Sequence, residues 1–292
     1  MASSPPFAPR CVLLATDGSE GAEHARGLAV DLARRYCADL HAIHVSAPSA
    51  ADLAEDPTQA AEGAAPRGVP PADRTGLAMR RSSHVGQAIL AYAAEVEADL
   101  IVMGTHGHRG LRRLMLGSTA DFVLRRATCP VLVARPDAPA TLTGGRVLVT
   151  DDLSPRAEST VAVAAALAHT LGVGLDVLHV VEPLHVPTPY GPLLIASLDL
   201  DYDAIAREAE AALHDRATEA ASELDVHIEV RMGDPVDVIA ARVNDAPPAV
   251  LVMGSHGSRG LDRLLLGSVA EGVVRRASCP VLVVRAGGEP EG

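Results

Sequence analysis

The sequence predicts two tandem α/β domains, each a mainly parallel β-sheet covered by helices on both faces. Three observations carry that expectation. A long internal repeat divides the chain into similar halves. Within each half, short apolar runs alternate with stretches of helical periodicity. The length, 292 residues, suits two ordinary domains that each bury a core. Gly104 to Val133 matches Gly254 to Val283 at 21 of 30 positions without a gap, and Val12 to Val45 aligns with Val147 to Val180, again ungapped. Parallel strands need crossover helices, so this alternation argues for a parallel sheet with both faces covered.

In the first half, Cys11 to Ala15 is a short apolar run ending in Thr-Asp-Gly-Ser, a strand followed by a helix cap, and Glu20 to Tyr36 has helical periodicity. Strands are expected at Leu40 to Val45, Leu77 to Ser82, Leu100 to Met103 and Val131 to Ala134, with helices at Gln87 to Glu97 and Ser118 to Ala127. The second half repeats the strands near Val147 to Thr150, Leu175 to Val180, His227 to Arg231, Val250 to Met253 and Val281 to Val284. Between the second and third strands the halves diverge. Ala47 to Gly76 has weak hydrophobic patterning and reads as a mobile loop, whereas the second half has a proline-rich stretch and then a helix from Tyr202 to Glu223. Pro136 to Gly145 reads as the linker, giving expected domains at 1–135 and 146–292.

Composition narrows the chemistry. Aromatic residues make up 2% and Trp is absent, so aliphatic packing dominates the cores and base-stacking surfaces are scarce. All 25 basic residues are Arg, and a Walker A loop needs a Lys to reach the β- and γ-phosphates, so ordinary P-loop chemistry is excluded. A net charge of −12 disfavours nucleic acid and acidic membranes as partners. No apolar run approaches the ~18 residues of a membrane span. The N-terminus lacks a signal-peptide pattern, so a cytoplasmic location is expected. Cys11, Cys37, Cys129 and Cys279 show no CxxC spacing and read as buried, reduced thiols.

After the fourth strand of each half stands Gly-x2-Gly-x9-Gly-Ser: Gly104, Gly107, Gly117 and Ser118, then Gly254, Gly257, Gly267 and Ser268. Glycines let backbone N–H groups approach an anion closely. The closing Gly-Ser opens a helix whose first N–H groups and dipole attract negative charge, so a polyphosphate can sit there without lysine. The competing reading is a tight strand-to-helix turn, which does not need three spaced glycines.

These loops, with Asp17 and Asp152 closing the first strand of each half, Val-Met-Gly before each loop and the Cys-Pro-Val-Leu-Val endings, resemble the universal stress protein family in its ATP-binding, tandem-domain branch. The resemblance covers nearly the whole chain. It implies Rossmann-like, adenine-nucleotide α-hydrolase-like domains, each a five-stranded parallel sheet, with ATP in the crevice at the carboxyl ends of the strands. Carried over by position, Asp17 and Asp152 would hold the adenosine, with Thr16 beside Asp17 and with Val45 and Val180 lining the adenine pocket. Met103, Gly104, Met253 and Gly254 would flank the ribose. Gly107, Arg109, Gly117, Ser118 and Thr119 would surround one set of phosphates, and Gly257, Arg259, Gly267, Ser268 and Val269 the other. The second half departs in two places: Asp151 adds a negative charge near a polyanion, and Val269 lacks the hydroxyl of Thr119. The resemblance also implies that the halves pair through their last strands and that the chain forms a homodimer.

Other roles compete for several of these residues. Asp17 and Asp152 also suit helix capping. His106 and His256 lack a nearby nucleophile with an orienting Asp, so loop or phosphate contact is expected of them rather than catalysis. His44 and His179 read as satisfied strand residues. The Arg pairs at 125–126 and 275–276 complement a helix dipole. No catalytic residue is assigned, and Mg2+ as a companion of ATP is left open because no dedicated carboxylate pair is evident. The expected function is an ATP-binding stress or regulatory protein acting through nucleotide-dependent signalling or partner binding. The alternatives are a slow ATP-hydrolysing or adenylyl-transferring enzyme, and a nucleotide-independent interaction module.

Overall fold

The computed structural model describes residues 7–46, 75–105, 116–135, 138–183, 185–188, 191–194, 201–221, 223–255 and 266–285. In the first half β1 (Cys11–Thr16), α1 (Glu20–Tyr36), β2 (Asp39–Ser46), β3 (Thr75–Arg81), α2 (Val85–Glu95), β4 (Leu100–Gly104), α3 (Ser118–Arg126) and β5 (Val131–Ala134) follow in order. The second half begins with β6 (Val147–Thr150), α4 (Ala157–Leu171) and β7 (Leu175–Val181). It then adds a hairpin, β8 (His185–Thr188) and β9 (Gly191–Leu194), before α5 (Tyr202–Ala221). β10 (Val226–Met232), α6 (Pro235–Asp245), β11 (Val250–Gly254), α7 (Ser268–Arg276) and β12 (Val281–Val284) complete it. The loop expected at Ala47 to Gly76 lies outside the described residues except for its last two, which open β3.

Ten strands form one sheet in the order β10-β7-β6-β11-β12-β5-β4-β1-β2-β3. Pairing is parallel within each half. The halves meet where β12 pairs antiparallel with β5, Leu282 opposite Leu132. Each last strand thus covers the other's hydrogen-bonding edge.

Alternation along the strands splits the core into two layers. Val12 and Leu14 face α1, while Leu13 and Ala15 face the opposite side, and the same parity runs through the other strands. Leu28 and Leu32 of α1, Leu167 of α4 and Leu213 of α5 lie in one layer. Ile89 of α2, Leu124 of α3, Ile239 of α6 and Val274 of α7 lie in the other. Both layers run through both halves. The segment between the halves joins them: Leu142 is buried in the α1 layer, and a Cβ on Gly27 would come within 2.6 Å of the Ala140 carbonyl oxygen.

The repeats solve one packing problem in opposite ways. Between α2 and α3, Gly86 leaves room for the Phe122 ring, whose Cδ1 would lie 2.5 Å from a Cβ at residue 86. Between α6 and α7 the bulky partner is Val236 and the small one is Gly272, with 2.8 Å between Val236 Cγ1 and a Cβ at residue 272. Large and small have changed sides, which keeps each interface filled without overpacking.

Candidate functional site

Within the first half the sheet order is β5-β4-β1-β2-β3, so the chain winds outward one way from β1 and the other way from β4. The crevice between the carboxyl ends of those two strands is a topological switch point, the place where open parallel sheets bind ligands. β6 and β11 form the equivalent crevice in the second half. The expected residues gather there. Thr16 closes β1 and Asp17 follows it, Met103 and Gly104 close β4, and Gly117 to Thr119 begin α3. Val45, near the end of β2, packs on the same face of the sheet as Met103 and α3. In the second half Asp152 follows β6 by two residues, Met253 and Gly254 close β11, Gly267 and Ser268 start α7, and Val180 and Val269 pack on the α7 face. Gly107, Arg109, Gly257 and Arg259, with His106 and His256, lie outside the described residues.

Backbone bonds pin the two ends of each loop. The Thr105 N–H donates to the Ala134 carbonyl at 3.0 Å, and the Gly117 N–H donates to the Thr105 carbonyl at 2.8 Å. Ser255 repeats this with Val284 and Gly267, at 2.8 Å in both bonds. Thr105 and Ser255 are buried polar residues outside the glycine pattern, and the sequence signal for them is that a hydroxyl residue follows Met-Gly in both halves. Gly117 and Gly267 are the N-caps of α3 and α7, with φ of −62° and −60°, and as glycines they bring no capping side chain of their own. Any residue adopts that φ, so left-handed backbone is not what glycine serves there. Gly104 is different, because a Cβ there would come within 3.1 Å of the Gly21 backbone, so close packing of β4 on α1 already accounts for it.

The aspartates after the first strands are not helix caps. Ser19 is the N-cap of α1, accepting the Ala22 N–H at 3.2 Å, while Asp17 accepts the Ser19 N–H at 3.0 Å and shapes the turn before the helix. Asp152 accepts both the N–H and the hydroxyl of Ser154, at 3.1 and 2.6 Å. His44 and His179 are satisfied strand residues as expected: their Nδ1 atoms lie 3.0 Å from the Thr16 carbonyl and 2.7 Å from the Asp151 carbonyl.

Two expectations need correction. Asp151 does not add a bare negative charge, because Arg216 of α5 donates to both of its oxygens at 2.7 and 2.8 Å, and the Leu153 N–H donates to it at 2.7 Å. The four thiols are not all buried either. Cys11 and Cys279 are buried and Cys129 is half-buried, but Cys37 is exposed. Burial pushes the Cys129 thiol up to about 11 and the Cys279 thiol up to about 12. Among the described residues no group of three or more His, Cys, Asp or Glu side chains could hold a metal ion, and no helix is long and apolar enough to cross a membrane.

The profile of the Universal stress protein family matches residues 10–135 and again 145–285. The chain belongs to that family. Among its relatives, the universal stress protein Rv2005c of Mycobacterium tuberculosis is 34% identical over 195 residues, 65% of this chain and 62% of that protein. The match therefore spans less than two thirds of that relative's length. A functionally unknown protein from Pseudomonas aeruginosa shares the fold over 96% of this chain and 94% of its own, with a TM-score of 0.66 at 21% identity. A universal stress protein solved in complex with cAMP is 25% identical and covers 50% of this chain and all of its own, with a TM-score of 0.36.

Proposed function

We propose that this universal stress protein binds ATP at the carboxyl end of the sheet in each half and acts as a nucleotide-dependent regulator in stress response. The domains are taken as 1–135 and 146–292. The observation that carries the proposal is the coincidence, twice in one chain, of a topological switch point with a helix start whose N-cap is a glycine. A polyphosphate accepts from the first N–H groups of such a helix and is favoured by its dipole. The exposed Ser118 and Ser268 stand at that start, and Asp17 and Asp152, which follow β1 by one residue and β6 by two, are assigned to the adenosine. Arg109 and Arg259 of the loops are assigned to the phosphates in place of the lysine the chain lacks. Binding to the folded state stabilises it and selects among its conformations, which is how occupancy would be read by a partner.

The test is release of co-purified nucleotide by heat, followed by chromatography, with calorimetric titration of ATP and of cAMP into nucleotide-free protein. ATP is expected in the wild type and reduced in Asp17→Ala, Gly117→Ala and Gly267→Ala. A nucleotide content untouched by all three substitutions overturns the site assignment, and binding of cAMP alone overturns the choice of ligand.

A further inference from the structure

We propose that Arg135 and Arg285 couple the two candidate sites, because each stands beside the phosphate end of its own half and holds the carboxyl end of the last helix of the opposite half. The inference rests on the nucleotide reading above. Arg135 follows Ala134, whose carbonyl accepts from Thr105, whose own carbonyl accepts from Gly117 at the start of α3. From that position Arg135 reaches across the junction, its Nη1 donating to the Arg275 carbonyl near the end of α7 at 2.7 Å. Arg285 does the same in reverse. It follows Val284, whose carbonyl accepts from Ser255 beside Gly267, and its Nη2 donates to the Arg125 carbonyl near the end of α3.

Each of these helices is nine residues long, about 13 Å at 1.5 Å per residue. Its amino end faces one site, and its carboxyl end is tied to an arginine of the other. Side chains clamp the pair laterally: Arg125 donates to Asp121 of its own helix and at 2.8 Å to Glu271 of α7, while Glu271 also pairs with Arg275. A cation at a helix carboxyl end is favourable, and withdrawing it loosens the helix whose amino end forms the other site. A polyphosphate arriving at α3 competes for Arg135 and draws it from the α7 carbonyl, so the α7 amino end holds its own anion less well. Binding in one site therefore weakens binding in the other, reciprocally, as linkage requires.

Calorimetric titration of the full chain with ATP tests this through a cycle. Gly267→Val closes the second site and reports the first alone, Gly117→Val does the converse, and the wild type reports both together. The double-occupancy constant should fall at least about fivefold below the product of the two single-site constants. In Arg135→Gln and in Arg285→Gln it should return to that product, whereas Arg135→Lys, which keeps the cation and can be used where a glutamine variant does not fold, should retain part of the deficit. Independent sites in the wild type, or a deficit unchanged in the arginine variants, overturns the coupling while leaving nucleotide binding intact. No binding of ATP at all overturns the nucleotide reading itself, and the coupling falls with it.

Discussion

Arg216 donates to both carboxylate oxygens of Asp151 across 65 residues of sequence, and the Asp151 side chain is completely buried beneath it. This pair closes β6 in the second half, where the first half has Thr16 at the end of β1. The α5 helix therefore does more than cover the sheet, since it supplies a charge that neutralises a buried carboxylate beside the candidate site.

Removing one member of a buried ion pair leaves the other uncompensated, which typically costs about 3 to 5 kcal/mol. Arg216→Ala should lower the unfolding free energy by about 3 kcal/mol, measured by urea denaturation. Asp151→Thr in the same background removes the stranded charge and restores the residue of the first half, so it should recover most of the loss. A single variant within about 1 kcal/mol of wild type would show that the pair contributes only as an exposed one does.

The exchanged helix contact gives a second prediction. Gly272→Ala places a methyl 2.8 Å from Val236 Cγ1, inside van der Waals contact, and overpacking of this kind costs about 1 to 3 kcal/mol. Adding Val236→Gly should relieve most of that cost, because it moves the interface toward the arrangement of Gly86 and Phe122. The check is a double-mutant cycle from chemical denaturation: additive losses would mean that the two residues do not sense each other.

Residues 20–36 show what was legible in the sequence. Apolar periodicity and a Ser cap mark α1, and the helix spans Glu20–Tyr36 as expected. The Gly-Ser that closes each duplicated loop likewise marks a helix start, of α3 at Ser118 and of α7 at Ser268. Tertiary pairings were not legible. Nothing local links Arg216 to Asp151 or Arg135 to Arg275, and the proline-rich run hid the β8–β9 hairpin, where Pro187 pairs with Pro192. Proline lowers any strand expectation because it donates no ladder hydrogen bond, yet a two-stranded ribbon has outward-facing positions that tolerate it.

Acid should weaken the second half through Glu229. Burial raises its carboxyl, but Arg242 at 2.8 Å and Arg231 at 2.7 Å outweigh that and hold it below the ordinary 4.5; His227 lies 3.8 Å away. A carboxyl lowered in the folded state contributes its full stability above the unfolded value and loses it as the pH falls through the folded one. Unfolding free energy should therefore decline below about pH 4.5. Glu229→Gln should be less stable at neutral pH and show a shallower acid decline. Parallel pH profiles for the two proteins would rule out this carboxylate as a source of the acid sensitivity.

Cys37 and Gly172 occupy equivalent carboxyl caps, of α1 and α4, and both adopt left-handed backbone, with φ of 51° and 68°. Only glycine takes that conformation without a steric cost, which for other residues is about 1 to 2 kcal/mol. Cys37 is exposed, so replacing it loses little packing. Cys37→Gly should raise stability by about 1 kcal/mol, and Gly172→Ala, whose added methyl meets nothing within 4 Å, should lower it by a similar amount. The same exposure separates the thiols chemically. At pH 8 a disulfide reagent should modify Cys37 quickly in the native protein, whereas Cys129 and Cys279, with thiols raised to about 11 and about 12, should react only on unfolding. Native Cys37→Gly should then lack the fast phase. Its persistence would mean that one of the other thiols becomes accessible without global unfolding.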